Sequence, residues 1–202
     1  MSDMPCRRRD TLNLNYANRT LAGVFFLTGA AVFLTAVMLG ESLAPGYSVH
    51  LNPISDLGII NETANLFNSS VFLLGFLTVL GGYLLYRDGM KRWITVVAFI
   101  AGIGAIGVGV FTLNYGIHGI FALIAFISYN ALAIAMATRI RGPLKMISIA
   151  LGAIGLIALV LHAMSDFRVM DVNGPIGSGG NGKNDRVPGH HLVASLQRIS
   201  DT

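Results

Sequence analysis

The chain has 202 residues, of which 53% are hydrophobic and 12% are charged. Soluble domains carry about 25% charged residues, so this composition, with a mean hydropathy of +0.65, excludes an ordinary soluble enzyme. The net charge of +4 does not indicate nucleic-acid binding, because most of the cations flank apolar stretches and there set the orientation in a membrane.

Five uncharged apolar stretches follow one another, each close to the ~20 residues that a helix needs to cross the hydrocarbon of a membrane. They are residues 20–40, 63–86, 93–113, 117–138 and 146–165. We therefore predict an all-α, polytopic transmembrane helical bundle with five spans over residues 20–165. A short N-terminal segment, residues 1–19, precedes it, and a tail, residues 166–202, follows it.

The segments before and between the predicted spans alternate between those that contain Lys and Arg and those that contain neither. Before the first span lie Arg7, Arg8, Arg9 and Arg19. After the second span lie Arg87, Lys91 and Arg92, and after the fourth span lie Arg139, Arg141 and Lys145. The 41–62 loop and the 114–119 turn have none. Because cytoplasmic loops are enriched in Lys and Arg, we predict a cytoplasmic N-terminus and an outward-facing 41–62 loop.

The third span contains a literal G-x-G-x-x-G pattern over residues 102–107. A dinucleotide-binding fingerprint needs a preceding strand and a βαβ context, whereas this pattern lies inside an apolar span. We predict that these glycines let helices pack closely.

Polar and ionisable side chains gather near the predicted outer surface, and no charged residue lies in the middle of a span. Intramembrane charges mark ion and proton pathways, so this distribution argues against a charge-relay pump. The candidate outer-face polar cluster consists of Glu41, Tyr47, Ser55, Asp56, Asn68, Asn114 and His118.

This cluster has three candidate roles. His and carboxylate side chains suit zinc or manganese, but the sequence has no H-x-x-x-H spacing to support a metal site. Ser55 and Asp56 with His118 or His162 have the residue types of a hydrolytic triad, which only geometry can establish. We favour a structural role, in which Ser55 or Asp56 caps a short helix after Pro53, and we assign no catalytic residue and no metal ligand.

Two segments of the 41–62 loop resemble a known family. They are Pro45–Ser48, which reads PGYS, and Asn52–Gly58, which reads NPISDLG. Together they resemble the hallmark loop of the domain-of-unknown-function 998 family, small multi-pass membrane proteins common in archaea. Further fitting positions are Asn68, Phe72, Gly75, Gly107–Gly109, Phe111 and His118–Phe121. The resemblance covers residues 20–165 and implies a six-helix bundle with no established activity or cofactor.

The chain departs from that family pattern after Gly180. Residues 181–191 read NGKNDRVPGHH, and they can be back-translated into codons that encode MERMIVYPAII when read one base later. This second reading resembles the motif that leads into the family's sixth helix. We infer a frameshift that removes this helix and leaves a disordered polar tail, with a native short tail as the alternative.

These features predict an integral protein of the cell membrane without a cofactor. We expect a binding or structural role, in which the 41–62 loop contacts membrane lipids or a partner, and a protein partner or homo-oligomer remains open. One alternative is a membrane enzyme acting on a lipid-linked substrate, which needs acid and base groups converging on one outer cavity. The other is a small transporter subunit, which needs a polar site at mid-membrane or a broken helix.

Overall fold

The computed structural model describes the backbone of residues 6–166 and the side chains of residues 17–161. The described backbone forms five long helices, which are α1 Cys6–Leu43, α2 Ala64–Arg87, α3 Arg92–Val110, α4 His118–Ala137 and α5 Pro143–Asp166. Each contains a stretch long and apolar enough to cross a membrane. The predicted all-α fold with five spans is confirmed, whereas the predicted disorder of the tail and the side chain of His162 lie outside the described residues.

Helices α1 and α5 begin several residues earlier than the hydropathy pattern predicts. Helix α1 starts at Cys6, within the predicted N-terminal segment, because residues 6–22 contain no Gly or Pro that would interrupt a helix. Helix α5 starts at Pro143, since the fixed φ of proline suits the first helical position.

The helices pack in chain order, each against the next, so that α1 and α5 form the two edges of a row. Helix α3 lies at the centre, where 44% of its apolar window is buried, compared with 6% for α5. A hydrogen bond also joins two helices that are not neighbours in the row. The hydroxyl of Tyr129 on α4 lies 2.8 Å from Thr78 Oγ1 on α2. Thr78 donates its own proton to the carbonyl of Leu74, so Tyr129 donates to Thr78.

Glycines bring α2 and α3 into backbone contact. A Cβ on Gly75 would lie 2.5 Å from the carbonyl oxygen of Gly102, and a Cβ on Gly102 would lie 2.7 Å from that of Gly75. Gly104 approaches the backbone of Ala125 on α4 in the same way. The predicted role of the glycine pattern in helix packing is therefore confirmed.

The helix row has two oppositely charged ends. The end with the 41–62 loop and the α3–α4 turn is called the acidic end, and its charged side chains are Glu41, Asp56 and Glu62. The end with the α2–α3 and α4–α5 turns is called the basic end, and its described cations are Arg19, Arg87, Lys91, Arg92, Arg139, Arg141 and Lys145.

The α2–α3 turn at the basic end is fixed by a left-handed glycine. Gly89 has a φ of 75°, and its amide donates to Tyr86 while the Met90 amide donates to Leu85, both over 3.0 Å. These paired bonds form a Schellman C-cap. Met90 then packs on a buried cluster formed by Ile94, Ala98, Leu132 and Ala135. The α2–α3 turn therefore lies beside the corresponding end of α4.

Candidate functional site

A 3-10 helix, Ile54–Gly58, forms the centre of the 41–62 loop. Pro53 occupies its N-cap and makes no side-chain cap bond. The prediction that Ser55 or Asp56 caps this helix is wrong, because the helix starts one residue after Pro53 and includes both. Leu57 is fully buried and belongs to a core cluster with Val37, Phe67 and Val71. The 3-10 helix is thus anchored on the ends of α1 and α2.

Asn52 links three parts of the 41–62 loop. Its Oδ1 accepts from the backbone N–H of Ser48 over 3.1 Å, and its Nδ2 donates to Asp56 Oδ2 over 2.9 Å. The hydroxyl of Tyr47 donates to the carbonyl of Asn52 over 3.4 Å. The Asp56 carboxylate is therefore held by a side-chain amide instead of backbone N–H groups. Sequence reasoning missed Asn52, although Asn before Pro is a turn signal.

Two side chains near the start of α2 hold the C-terminal end of the 3-10 helix. Thr63 is 0% exposed and donates its hydroxyl to the carbonyl of Leu57 over 2.8 Å. Asn68 Nδ2 donates to the carbonyl of Gly58 over 2.9 Å. These bonds satisfy carbonyls that the helix end leaves without a partner. Asn68, predicted as a member of the polar cluster, thus binds the backbone of the loop.

Tyr47 shares its electrostatic environment with two carboxylates. Partial burial raises the pKa of Tyr47 above 10.0, and the neighbouring charges of Glu41 and Asp56 raise it further. Three members of the predicted cluster therefore lie close enough to influence one another. Ser55, half-buried, is adjacent to Asp56 in the 3-10 helix.

His118 and Asn114 lie on the turn between α3 and α4. His118 is buried at the start of α4, and its Nδ1 lies 2.7 Å from the carbonyl oxygen of Phe111. Because a carbonyl can only accept, Nδ1 carries the proton and donates it. The ring of Phe111 stacks on Phe121 with centroids 5.3 Å apart, which closes the turn, while Asn114 is exposed on it.

The predicted cluster is therefore divided between two segments. Glu41, Tyr47 and Asp56 lie together in or beside the 41–62 loop, whereas His118 bonds within the α3–α4 turn. The described bonds do not assemble Ser55, Asp56 and His118 into a hydrolytic triad. Among the described side chains, no three His, Cys, Asp or Glu residues lie close enough to share a metal ion.

An ion pair at the basic end was not predicted. Arg19 Nε on α1 bonds Asp88 Oδ2 at the end of α2. The side chain of Asp88 is 0% exposed and that of Arg19 is 64% exposed, and Asp88 Oδ1 has no partner. The available signal was that Asp88 is the single carboxylate in a connection otherwise rich in cations.

The 41–62 loop and the contacting glycines lie within the residues that one family model matches. A family model described as a protein of unknown function (DUF998) matches residues 27–199. The chain belongs to the DUF998 family. The DUF998 match includes the Asn52–Gly58 motif and continues beyond Gly180 to residue 199. No curated protein and no solved structure matches this chain.

Proposed function

We propose that this DUF998 protein is a binding protein of the cell membrane whose basic end faces the cytoplasm and whose 41–62 loop contacts lipids on the opposite side. The observation that carries this proposal is the division of the loop into a bonded polar interior and an exposed aliphatic surface.

Several aliphatic side chains of the loop are exposed. Their exposed fractions are 57% for Val49, 66% for Leu51, 48% for Ile54 and 39% for Ile59. Removal of apolar surface from water is favourable by about 25 cal/mol of free energy for each Å², so contact with lipid would stabilise this arrangement. The loop lies at the ends of α1 and α2, and this position supports the proposed contact with the membrane surface.

The cations of the basic end support the proposed orientation. Its cations lie in two short turns and at the start of the α1 span, where Lys and Arg determine which side stays in the cytoplasm. The acidic end has no Lys or Arg in its two connections. The 41–62 loop is accordingly assigned to the outer surface.

Binding is favoured over catalysis or transport because several polar groups suited to those functions already bond other groups of the protein. Asp56 accepts from Asn52, and His118 bonds the carbonyl of Phe111. Within the spans, Thr78 and Tyr129 bond each other. None of these three contacts supplies the free acid and base that an enzyme needs, or the open polar site that a transporter needs.

Lipid contact by the loop can be tested with a single tryptophan. We would replace Trp93 with Phe and introduce Leu51→Trp, with Asn61→Trp, an exposed polar position of the same loop, as the matched control. In vesicles with brominated acyl chains, we expect the tryptophan at position 51 to be quenched strongly and the one at position 61 weakly. Equal quenching of both by an aqueous quencher, with none by brominated lipid, would refute the proposal.

A further inference from the structure

Six cations of the basic end have no ion-pair partner among the side chains that the structure describes. They are Arg87, Lys91, Arg92, Arg139, Arg141 and Lys145, and all are exposed. Among the described side chains of the basic end, the carboxylate is that of Asp88, and it forms an ion pair with Arg19. Because the Asp88 side chain is 0% exposed, it does little to neutralise the surface formed by the other six.

The two basic turns adjoin each other. Met90 in the α2–α3 turn packs on a cluster that includes Leu132 and Ala135 of α4, with Met136 against the same cluster. Arg139 and Arg141 follow directly after this end of α4. The cations of both turns therefore contribute to one surface.

The start of α3 adds to the positive potential of this surface. The first turn of α3 has no acidic residue, and its N-cap, Lys91, makes no side-chain cap bond. The amides at a helix N-terminus carry a partial positive charge. Lys91 at the N-cap and Arg92 at the first position of α3 carry charges of the same sign.

Exposed aromatic side chains indicate the depth of these cations in the membrane. Tyr83, Tyr86 and Trp93 are 49%, 54% and 48% exposed and lie near the basic end of α2 and α3. Tyr and Trp are enriched at the level of lipid headgroups. We therefore expect Lys91 and Arg92, which follow α2 and begin α3 at this end, to reach the phosphate layer.

We propose that the two basic turns form a binding site for the phosphate-bearing headgroups of anionic phospholipids in the leaflet at the basic end. The Lys and Arg side chains bind the phosphate oxygens, with bidentate contacts from Arg, and Tyr86 and Trp93 pack beside the glycerol region. This site is separate from the 41–62 loop and does not depend on lipid contact there.

The site can be tested by native mass spectrometry of the full chain in detergent, titrated with phosphatidylglycerol or phosphatidylcholine. We expect Lys91→Gln with Arg92→Gln to weaken phosphatidylglycerol retention by about fivefold per lost charge, or roughly twenty-five-fold together. The matched control is Asn61→Asp with Asn65→Asp. It changes the net charge equally at exposed positions of the acidic end, and it should leave retention unchanged.

Three further measurements test whether the two basic turns form one headgroup site. Arg139→Gln with Arg141→Gln should weaken phosphatidylglycerol retention as well, because the second turn belongs to the same surface, and unchanged retention would contradict the shared site. Inorganic phosphate or an acidic peptide that displaces the lipid at equal concentration would contradict a headgroup site. Equal retention of phosphatidylcholine and phosphatidylglycerol by the unaltered protein would overturn the proposal outright. Unchanged helical content by circular dichroism shows that each variant is folded.

Discussion

The acidic and basic ends of the helix row use their polar side chains in opposite ways. At the acidic end, Asn52, Thr63 and Asn68 bond the 41–62 loop to itself and to α2. At the basic end, one ion pair joins α1 to α2 and the other described cations remain exposed. The difference shows that uncharged polar side chains hold a loop at one end, whereas cationic side chains present charge at the other.

The ion pair between α1 and α2 should give the largest change in stability. Arg19→Gln leaves the buried Asp88 carboxylate without a partner, and we expect a loss of about 2–3 kcal/mol. Loss of one partner from a fully buried pair costs about 3–5 kcal/mol, and the 64% exposure of Arg19 lowers that value. The free energy of unfolding measured in mixed micelles checks it.

Substitution of the other partner of the ion pair provides the control. Asp88→Asn leaves an arginine that water already solvates, so we expect a loss of only about 1 kcal/mol. The double variant should recover most of the stability lost in Arg19→Gln. Equal losses from the two single variants would show that burial of Asp88 does not determine the energy.

Thr63 should give the next largest effect, now at the acidic end. Thr63→Val keeps the shape of the side chain but leaves the buried carbonyl of Leu57 without its donor, so we expect a loss of about 1–2 kcal/mol. The control is Thr138→Val at the basic end, where the hydroxyl donates to Ala135 at an exposed position. An equal decrease in the melting temperature of both variants would contradict the structural role of Thr63.

Asp56 should have a smaller effect. Asp56→Ala removes the acceptor of the Asn52 amide, and we expect a loss of about 0.5–1.5 kcal/mol, the range of a single hydrogen bond. Glu62→Ala removes an exposed carboxylate from the same loop and should change stability little. If Asp56→Ala is as neutral as Glu62→Ala, the Asn52–Asp56 bond does not hold the loop.

Tyr47 should make the stability of the loop depend on pH at the alkaline limit. Burial, then Glu41 and Asp56, raise its folded-state pKa above the unfolded value near 10.0, so the folded state retains the phenolic proton. Its contribution is fully present below pH 10.0 and is lost as the pH rises through the folded pKa. We expect the unaltered protein to lose more stability above pH 10.0 than Tyr47→Phe, and parallel curves would contradict this.

The sequence predicts the spans well because length and hydropathy determine whether a segment can cross a membrane. It also predicts the glycine contacts, since small residues inside an apolar span have few other uses. It does not predict that Arg19 meets Asp88, because that contact depends on the rotation of α1 against α2. It misassigns Asp56 because the choice between capping and bonding Asn52 depends on where the 3-10 helix begins.

The central claim is that the two ends face opposite sides of the membrane, with the basic end in the cytoplasm. Single cysteines at His50→Cys and Arg141→Cys, both exposed positions, on a Cys6→Ser background can be labelled with an impermeant maleimide. We expect position 50 to react in intact cells and position 141 to react only after permeabilisation. Labelling of position 141 in intact cells, or of both positions from one side, would contradict the account.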